Sequence, residues 1–289
     1  MSNSIQRLLT AAVAIPILYV IFRIGGLLYL LLFLALIFLG QIEYQKLLES
    51  KNLPNEKILG IISSLLMGIS AYLGYYYFTF CFTALVLLIL VLDLRKGDFS
   101  QTVINIGATL FGVIYLGWLL SHAILLRNIG QNENIRAYAE SNQGLGDLGF
   151  FLVVFAVACT FLNDTGAYYT GTFIGKRKLA PKISPGKTIE GTIGGIILCI
   201  IAGLVVNFLF GFPLSSDWAI SFALLVGIAA ILGDLVESSI KRGAGIKDSG
   251  DIVPGHGGVL DRFDSLIFVF PVSYYFILVY YSLNGVSPG

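Results

Sequence analysis

Charged residues are scarce in this chain: aspartate, glutamate, lysine and arginine together make up 12% of its 289 residues. A soluble domain has about 25% charged residues. This chain is instead 56% hydrophobic, with a mean hydropathy of +0.85. The composition excludes an ordinary soluble protein and predicts an all-α integral membrane protein. The net charge of +1 gives no indication of nucleic-acid binding.

Cysteine and histidine are also rare, with three and two residues. Cys81, Cys159 and Cys199 lie within apolar runs and have no CxxC spacing, which favours buried small side chains over a disulfide or a thiolate metal site. His122 lies in an apolar run and is predicted to be structural. No convincing internal repeat is present, which argues against the inverted repeats of many transporters.

Apolar runs long enough to cross a bilayer, about 20 residues each, follow one another along the chain. Nine candidates lie at roughly 8–23, 26–42, 58–76, 78–93, 103–126, 149–174, 190–212, 217–240 and 261–283. The sequence therefore predicts a polytopic bundle of about nine transmembrane helices. We expect an N-terminal region (1–126) for packing, lipid or oligomer contacts, a polar outside loop (127–148) and a C-terminal catalytic region (149–289).

The basic residues predict the orientation of these spans. With nine spans, the loops on one side hold 15 of the 18 lysines and arginines. Cytoplasmic loops carry such an excess. The N-terminus and the most charged segment, residues 234–264, are therefore predicted to face the cytoplasm.

Acidic side chains at two neighbouring span ends suggest a cation site. One helix face carries polar residues at positions i, i+3, i+4 and i+7: Asp234, Glu237, Ser238 and Lys241. Asp261 and Asp264 open the next, antiparallel span. Carboxylates brought together at one rim repel each other, and oxygen ligands without thiolates favour a hard cation such as Mg²⁺. The alternative is that these carboxylates pair with nearby basic residues or lie at the water boundary.

A basic loop precedes the seventh span and contains Lys176, Arg177, Lys178, Lys182 and Lys187. Ser184, Gly186 and Thr188 surround Lys187, a composition that suits phosphate oxygens, and Glu190 follows at the mouth of the span. The alternative function of this loop is a topological anchor beside anionic lipid.

Two other motifs fit known nucleotide-binding patterns only superficially. Residues 144–149 fit GxGxxG, but no strand precedes them. Residues 185–188 end like a P-loop, but Pro181 occupies the position of the required glycine. Neither motif predicts a dinucleotide or Walker fold.

Carboxylates for a divalent cation and many basic residues at one membrane face together predict phosphoryl or nucleotidyl transfer to a lipid. An ion- or proton-coupled transporter is the non-enzymatic alternative. That alternative requires carboxylates at the membrane midplane, whereas the charges here cluster at one rim.

The same residues carry a family resemblance. The pattern Ser238-x-x-Lys241-Arg242-x4-Lys247-Asp248-x5-Pro254-x-His256-Gly257-Gly258-x-x-Asp261-Arg262-x-Asp264 resembles the signature of the phosphatidate cytidylyltransferases, or CDP-diacylglycerol synthases. The run from Asp164 to Glu190 is also similar to that family. Both segments fall in the last four spans, and the first five spans match only in hydrophobic character. Gly186 and Ile189 depart from residues frequent in the family, lysine and tryptophan.

The resemblance implies transfer of CMP from CTP to phosphatidic acid with Mg²⁺ as cofactor and room for a second divalent or monovalent cation. It implies Asp234 and Asp261 as metal ligands. Asp264, Glu237 and Asp248 would be further ligands or orienting groups, and His256 a hydrogen-bond partner of the loop or a phosphate. The other catalytic residues implied are Lys241, Arg242 and Lys247, and the substrate-binding residues are Asp164, Ser184, Lys187, Thr188, Glu190, Ser238, Asp248, His256 and Arg262.

The resemblance also implies a multi-pass protein of the cytoplasmic membrane that forms a homodimer. A CTP-dependent lipid kinase acting on a polyprenol or phytol is the alternative within the same chemistry. It shares the nucleotide and the membrane site, but it would transfer phosphate and release CDP.

Overall fold

A computed structural model describes residues 3–96, 100–144, 146–211, 213–247, 249–250 and 258–286. Within these ranges the chain forms eleven α-helices and one short two-stranded sheet. The helices are α1 (Asn3–Ile24), α2 (Gly26–Ser50), α3 (Lys57–Leu73), α4 (Tyr75–Asp93), α5 (Thr102–Gly112), α6 (Leu120–Arg127), α7 (Glu133–Gln143), α8 (Leu148–Ile174), α9 (Ile189–Leu209), α10 (Ser216–Ala244) and α11 (Leu260–Leu283). The strands are β1 (Lys178–Ala180) and β2 (Ser184–Thr188). A π-helical segment, Val113–Leu119, joins α5 to α6.

The polytopic helical fold predicted from hydropathy is confirmed. Seven helical segments of the described chain are long and apolar enough to cross a membrane, including the continuous segment Thr102–Arg127. The predicted spans 8–23 and 58–76 coincide with α1 and α3, and α3 has only 17 residues. At about 1.5 Å per residue α3 falls short of a hydrocarbon core of about 30 Å. The predicted count of nine spans is therefore not confirmed.

The chain divides into two compact units. The first unit contains Met1–Leu125 and Ile240–Phe263, and the second contains Leu126–Ser239 and Asp264–Gly289. Both division points near the C-terminus fall inside helices, α10 and α11. The first unit therefore joins most of the predicted N-terminal region to a segment of the predicted catalytic region.

Buried polar contacts fix the helices of the first unit. The Gln41 amide of α2 donates to the Ser64 hydroxyl at 2.6 Å and to the Gly112 carbonyl at 2.8 Å. The Tyr44 hydroxyl donates to the Ala108 carbonyl at 2.8 Å. An unpaired polar group inside a membrane costs several kcal/mol. These pairings therefore specify the register of α2 against α3 and α5.

Small residues allow close helix packing in the second unit. Helix α8 crosses α9 where a Cβ atom on Gly166 would lie only 2.8 Å from the Gly194 carbonyl oxygen. Close backbone approach through small residues is the usual packing mode of membrane helices. Farther along, stacked rings of Phe155, Phe222 and Phe276 join α8, α10 and α11, with centroids 4.5 and 4.8 Å apart.

Residues 127–148, predicted as a polar outside loop, contain helix α7. Asn132 caps this helix by accepting a hydrogen bond from the Ile135 N–H, and Gly144 ends it in the left-handed conformation, with φ of 63°. Asp147 caps α8 and forms a bidentate ion pair with Arg127. The glycines of the GxGxxG-like motif thus have structural roles: Gly144 ends a helix, and a Cβ on Gly149 would lie 1.8 Å from the Arg127 carbonyl oxygen.

Candidate active site

A cavity of about 510 Å³ lies in the second unit between α8, α9, α10 and the β-hairpin. Five residues predicted from the sequence line it: Asp164, Ser184, Lys187, Thr188 and Asp234. Ligand pockets in proteins have volumes of about 300–1,000 Å³. The cavity is therefore large enough for a small-molecule substrate, and its lining combines ammonium, hydroxyl and carboxylate groups.

Asp234 and Lys187 form an ion pair at the wall of this cavity. Lys187 Nζ lies 2.6 Å from Asp234 Oδ2, and the side chains are 24% and 28% exposed. Ser238, one helical turn later on α10, donates its hydroxyl hydrogen to Asp234 Oδ1 at 3.2 Å. The predicted i, i+4 contact on this helix face is thus present.

Asp164 and Asp264 complete an acidic cluster around Lys187. Both lie within electrostatic range of Asp234 and of the Lys187 ammonium. Asp164 and Asp264 thus interact electrostatically with the Lys187–Asp234 ion pair, and we call these four residues the aspartate cluster. The cluster brings together α8, β2, α10 and α11 within the second unit.

Gly233 permits the close approach that places Asp234 beside Asp264. A Cβ on Gly233 would lie 2.7 Å from the Asp264 carbonyl oxygen and 3.1 Å from Ser265 Cα. Gly233→Ala is therefore expected to push α10 away from α11 and lower turnover about tenfold or more. Steady-state kinetics of purified protein measures this effect.

Gly243→Ala is the matched control, because the same helix has open space around a Cβ at that position. We expect this control to keep normal turnover. Equal turnover in both variants would show that the α10–α11 approach is unimportant for the site.

The β-hairpin holds the basic loop against the start of α9. Strands β1 and β2 pair antiparallel, with Lys178 opposite Thr188. The Thr188 hydroxyl accepts the Gly191 N–H and caps α9. The Glu190 carboxylate accepts the N–H groups of Lys176 and Arg177. These contacts give Glu190 a structural role in the hairpin, and its predicted contact with substrate remains a prediction.

In the first unit, Asp261 lies in a dense network of donors. Lys241 Nζ is 2.5 Å from Asp261 Oδ1, with side chains 12% and 11% exposed. Asp261 Oδ2 accepts the N–H groups of Ser249 and Gly258 at 3.0 and 2.9 Å. The Ser249 hydroxyl also lies 3.0 Å from Oδ2. Both carboxylate oxygens are therefore engaged by protein groups.

Three other predicted residues of the first unit have exposed side chains. Arg242 donates to the Ile246 carbonyl at 2.9 Å, and Lys247 and Arg262 have exposed side chains. Glu237 is buried on α10. Asp248 and His256 lie outside the described residues.

The structure thus groups the predicted residues into two sets. Asp164, Lys187, Asp234 and Asp264 come together in the second unit, and Lys241 and Asp261 in the first. Asp234 and Asp261, predicted as joint metal ligands, each have their own ion-pair partner, and their joint role remains a prediction.

The aspartate cluster fits a magnesium ion by its donor chemistry. Among the described residues, no three His, Cys, Asp or Glu side chains are arranged to hold a metal by themselves. Mg²⁺ is usually bound by one or two carboxylates, with water and substrate phosphates as the other ligands. Carboxylates that already attract an ammonium group are therefore suitable for a divalent cation that arrives with a phosphate substrate.

One buried acidic residue near the site was missed by the sequence analysis. Glu43 lies in α2, is fully buried and contacts Ser249, Val259 and Leu260 of the first unit. The sequence did contain a signal for Glu43, because a carboxylate inside an apolar span is energetically costly and is usually functional. The sequence analysis had treated the first five spans as almost free of such charge.

The helices and the cavity define a multi-pass membrane protein with a site suited to phosphate groups, and comparison with known proteins specifies this class. A sequence model described as the Cytidylyltransferase family matches residues 5–280. The chain is 31% identical over 284 residues to a phosphatidate cytidylyltransferase of Bacillus subtilis, covering 95% of this chain and 98% of that protein. For the phosphatidate cytidylyltransferase of Staphylococcus haemolyticus the identity is 36% over 277 residues, with 92% and 96% covered.

A third relative is the uncharacterised protein YnbB of Escherichia coli. It is 44% identical over 181 residues, which cover 63% of this chain and 56% of that protein. The chain belongs to the cytidylyltransferase family. It is a nucleotidyltransferase, and the resemblance stated from its motifs is confirmed.

Proposed function

We propose that this protein is a phosphatidate cytidylyltransferase that converts CTP and phosphatidic acid to CDP-diacylglycerol and pyrophosphate. Relatives of that name match it over nearly their whole length. The observation that carries the proposal is the cavity in the second unit, whose lining includes Asp164, Lys187 and Asp234.

The reaction forms one phosphorus–oxygen bond and breaks another. An oxygen of the lipid phosphate bonds to the α-phosphorus of CTP. The bond between that phosphorus and the oxygen bridging to the β-phosphate breaks, and pyrophosphate leaves with the electron pair. The attacking phosphate is already ionised, so the protein needs to bind and align charged groups rather than supply a strong base.

The cavity residues are suited to this task. The Lys187 ammonium and the hydroxyl of Ser184 would bind phosphate oxygens, while Thr188 holds the start of α9. The N–H groups at a helix N-terminus also favour an anion. Lys241, Arg242, Lys247 and Arg262 are proposed to bind further phosphate oxygens.

Magnesium is the proposed cofactor, with Asp234 and Asp261 as ligands and Asp264 in support. When bound, such an ion neutralises phosphate charge in phosphoryl and nucleotidyl transfer.

A homodimer remains a proposal from the family resemblance, and light scattering of the purified protein tests it.

A product assay tests the proposed function. Purified protein is incubated with α-³²P-labelled CTP and phosphatidic acid, with and without Mg²⁺. We expect the label in a lipid product, stoichiometric pyrophosphate, and no reaction without the metal. In a parallel reaction with a polyprenol in place of phosphatidic acid, release of CDP with an unlabelled phosphorylated lipid would identify a CTP-dependent kinase instead. Failure to form a labelled lipid from phosphatidic acid would refute the proposal.

We also propose that the site faces the cytoplasm, because the hairpin concentrates exposed basic residues. A cysteine at position 182, in a background where Cys81 is replaced by serine, is expected to react with impermeant maleimide only in inside-out vesicles. A cysteine at position 133 on α7 is the matched control, expected to react from the outside. Labelling with the opposite sidedness would contradict the orientation.

A further inference from the structure

Glu43 is a buried carboxylate that the reaction as described above does not use. It lies in α2 with no exposed surface. Glu43 Oε1 accepts the Val259 N–H at 2.8 Å, and Oε2 accepts the Leu260 N–H at 2.8 Å. The Glu43 carboxylate thus accepts two backbone N–H groups from a segment more than 200 residues later in the chain.

The donors come from the start of α11, which begins at Leu260. The first N–H groups of a helix have no partner within the helix, and a negative group near them is stabilising. Glu43 supplies that partner from a different helix. Its carboxylate therefore fixes the position at which α11 begins, one residue before Asp261.

Glu43 also contacts Ser249, which lies in the segment between α10 and α11. The Ser249 hydroxyl lies 3.1 Å from Glu43 Oε2 and 3.0 Å from Asp261 Oδ2. It donates its one hydrogen to one of these carboxylates at a time. Glu43 and Asp261 thus contact the same serine, and Asp261 also accepts the N–H groups of Ser249 and Gly258.

Two glycines leave the space that this arrangement needs. A Cβ on Gly250 would lie 2.9 Å from Glu43 Oε1, and one on Gly258 would lie 2.7 Å from Glu43 Oε2. At Gly250 the three nearest atoms to such a Cβ all belong to Glu43. The backbone therefore packs directly on the carboxylate at both ends of the segment.

We propose that Glu43 is a positioning residue for the transfer reaction: it fastens both ends of the α10–α11 connection, and through them it sets the place of Asp261. The expected effect on kcat rests on the proposed function. The expected role of Glu43 in holding the segment does not. A carboxylate is required, because an amide at this position would direct its N–H₂ group at backbone N–H donors.

Glu43→Gln tests this role with an almost isosteric side chain. We expect kcat for CDP-diacylglycerol formation to fall about 10- to 100-fold, because misplacement of a reacting group by about 1 Å has effects of that size. We also expect faster hydrogen–deuterium exchange in peptides covering residues 249–262, measured by mass spectrometry. A purely structural role would instead lower kcat only in proportion to the loss of thermal stability.

Gln41→Leu is the matched control on the same helix. It removes two buried hydrogen bonds to Ser64 and Gly112. We expect a lower unfolding temperature, with normal exchange in 249–262 and normal kcat. If Glu43→Gln and Gln41→Leu lose kcat in proportion to their loss of thermal stability, Glu43 is merely structural and the proposal is wrong.

Gly250→Ala is the second variant, for the case that Glu43→Gln does not fold. We expect it to lower kcat at least about fivefold with faster exchange in the same peptides. Normal kcat and exchange in Gly250→Ala, or in a folded Glu43→Gln variant, would overturn the proposal. If the wild-type protein makes no CDP-diacylglycerol, the proposed function fails, while the exchange measurements still decide whether Glu43 holds the segment.

Discussion

Asp234→Asn is expected to lower the rate of CDP-diacylglycerol formation about 100- to 1,000-fold, the loss seen when one preorganised electrostatic group is removed from an active site. Asparagine keeps the shape of the side chain and can still accept from the Ser238 hydroxyl. It loses the charge that holds Lys187 Nζ at 2.6 Å. Initial rates over ranges of CTP and phosphatidic acid concentration measure the effect, and we expect most of it in kcat.

Asp217→Asn provides a control on the same helix. Asp217 is exposed in the first turn of α10, at the opposite end from the aspartate cluster. We expect this variant to keep the wild-type rate. A tenth or more of normal turnover in Asp234→Asn would contradict the assignment of Asp234 to the reaction.

The aspartate cluster has more acidic than basic groups, although both substrates are anionic. Lys187 is attracted by three carboxyl groups. Phosphate groups entering the cavity would meet repulsion unless additional positive charge accompanies them. Divalent cations supply such charge in phosphoryl-transfer enzymes, so the composition of the cluster supports a metal-dependent reaction. It also predicts that Lys187 changes partner when phosphate binds, from Asp234 to a substrate oxygen.

Hydropathy predicted the helices well because the bilayer imposes a strong constraint on span length and composition. Every predicted span corresponds to a helix or to the segment Thr102–Arg127. Helix α7 and the β-hairpin were missed, because they lie in polar segments where apolar periodicity carries no information. For α7 the signals were local instead, namely Asn132 and Gly144 at its two ends.

The site was predictable only where its residues are close in sequence. The spacing of Asp234 and Ser238 on one helix face led to a contact that the structure contains. The approach of Asp164 and Lys187 to Asp234 depends on how α8, α9 and α10 pack, which spacing does not specify. Glu43 was missed for the same reason, because its partners at 249–260 come from a segment more than 200 residues away.

Asp261→Asn is expected to reduce turnover at least about 100-fold and also to destabilise the protein. Removing one charge from a fully buried ion pair costs about 3 kcal/mol or more, and we expect a smaller loss here because the pair is part-buried and Lys241 makes a further interaction. Here the remaining charge is the Lys241 ammonium, which lies 2.5 Å from Asp261 Oδ1 in the wild-type protein. Thermal unfolding in detergent and steady-state kinetics measure the two effects separately.

The double variant Lys241→Met/Asp261→Asn separates stability from catalysis. Replacing the Lys241 ammonium by an apolar side chain of similar length is expected to restore stability to within about 1 kcal/mol of the wild type. The asparagine still accepts the N–H groups of Ser249 and Gly258 through its oxygen, so the local backbone is kept. Turnover should nevertheless remain at least about 100-fold below normal, because the acidic group and the ammonium group proposed to bind phosphate are both missing. Recovery of turnover together with stability would assign Asp261 to folding alone and remove it from the proposed metal site.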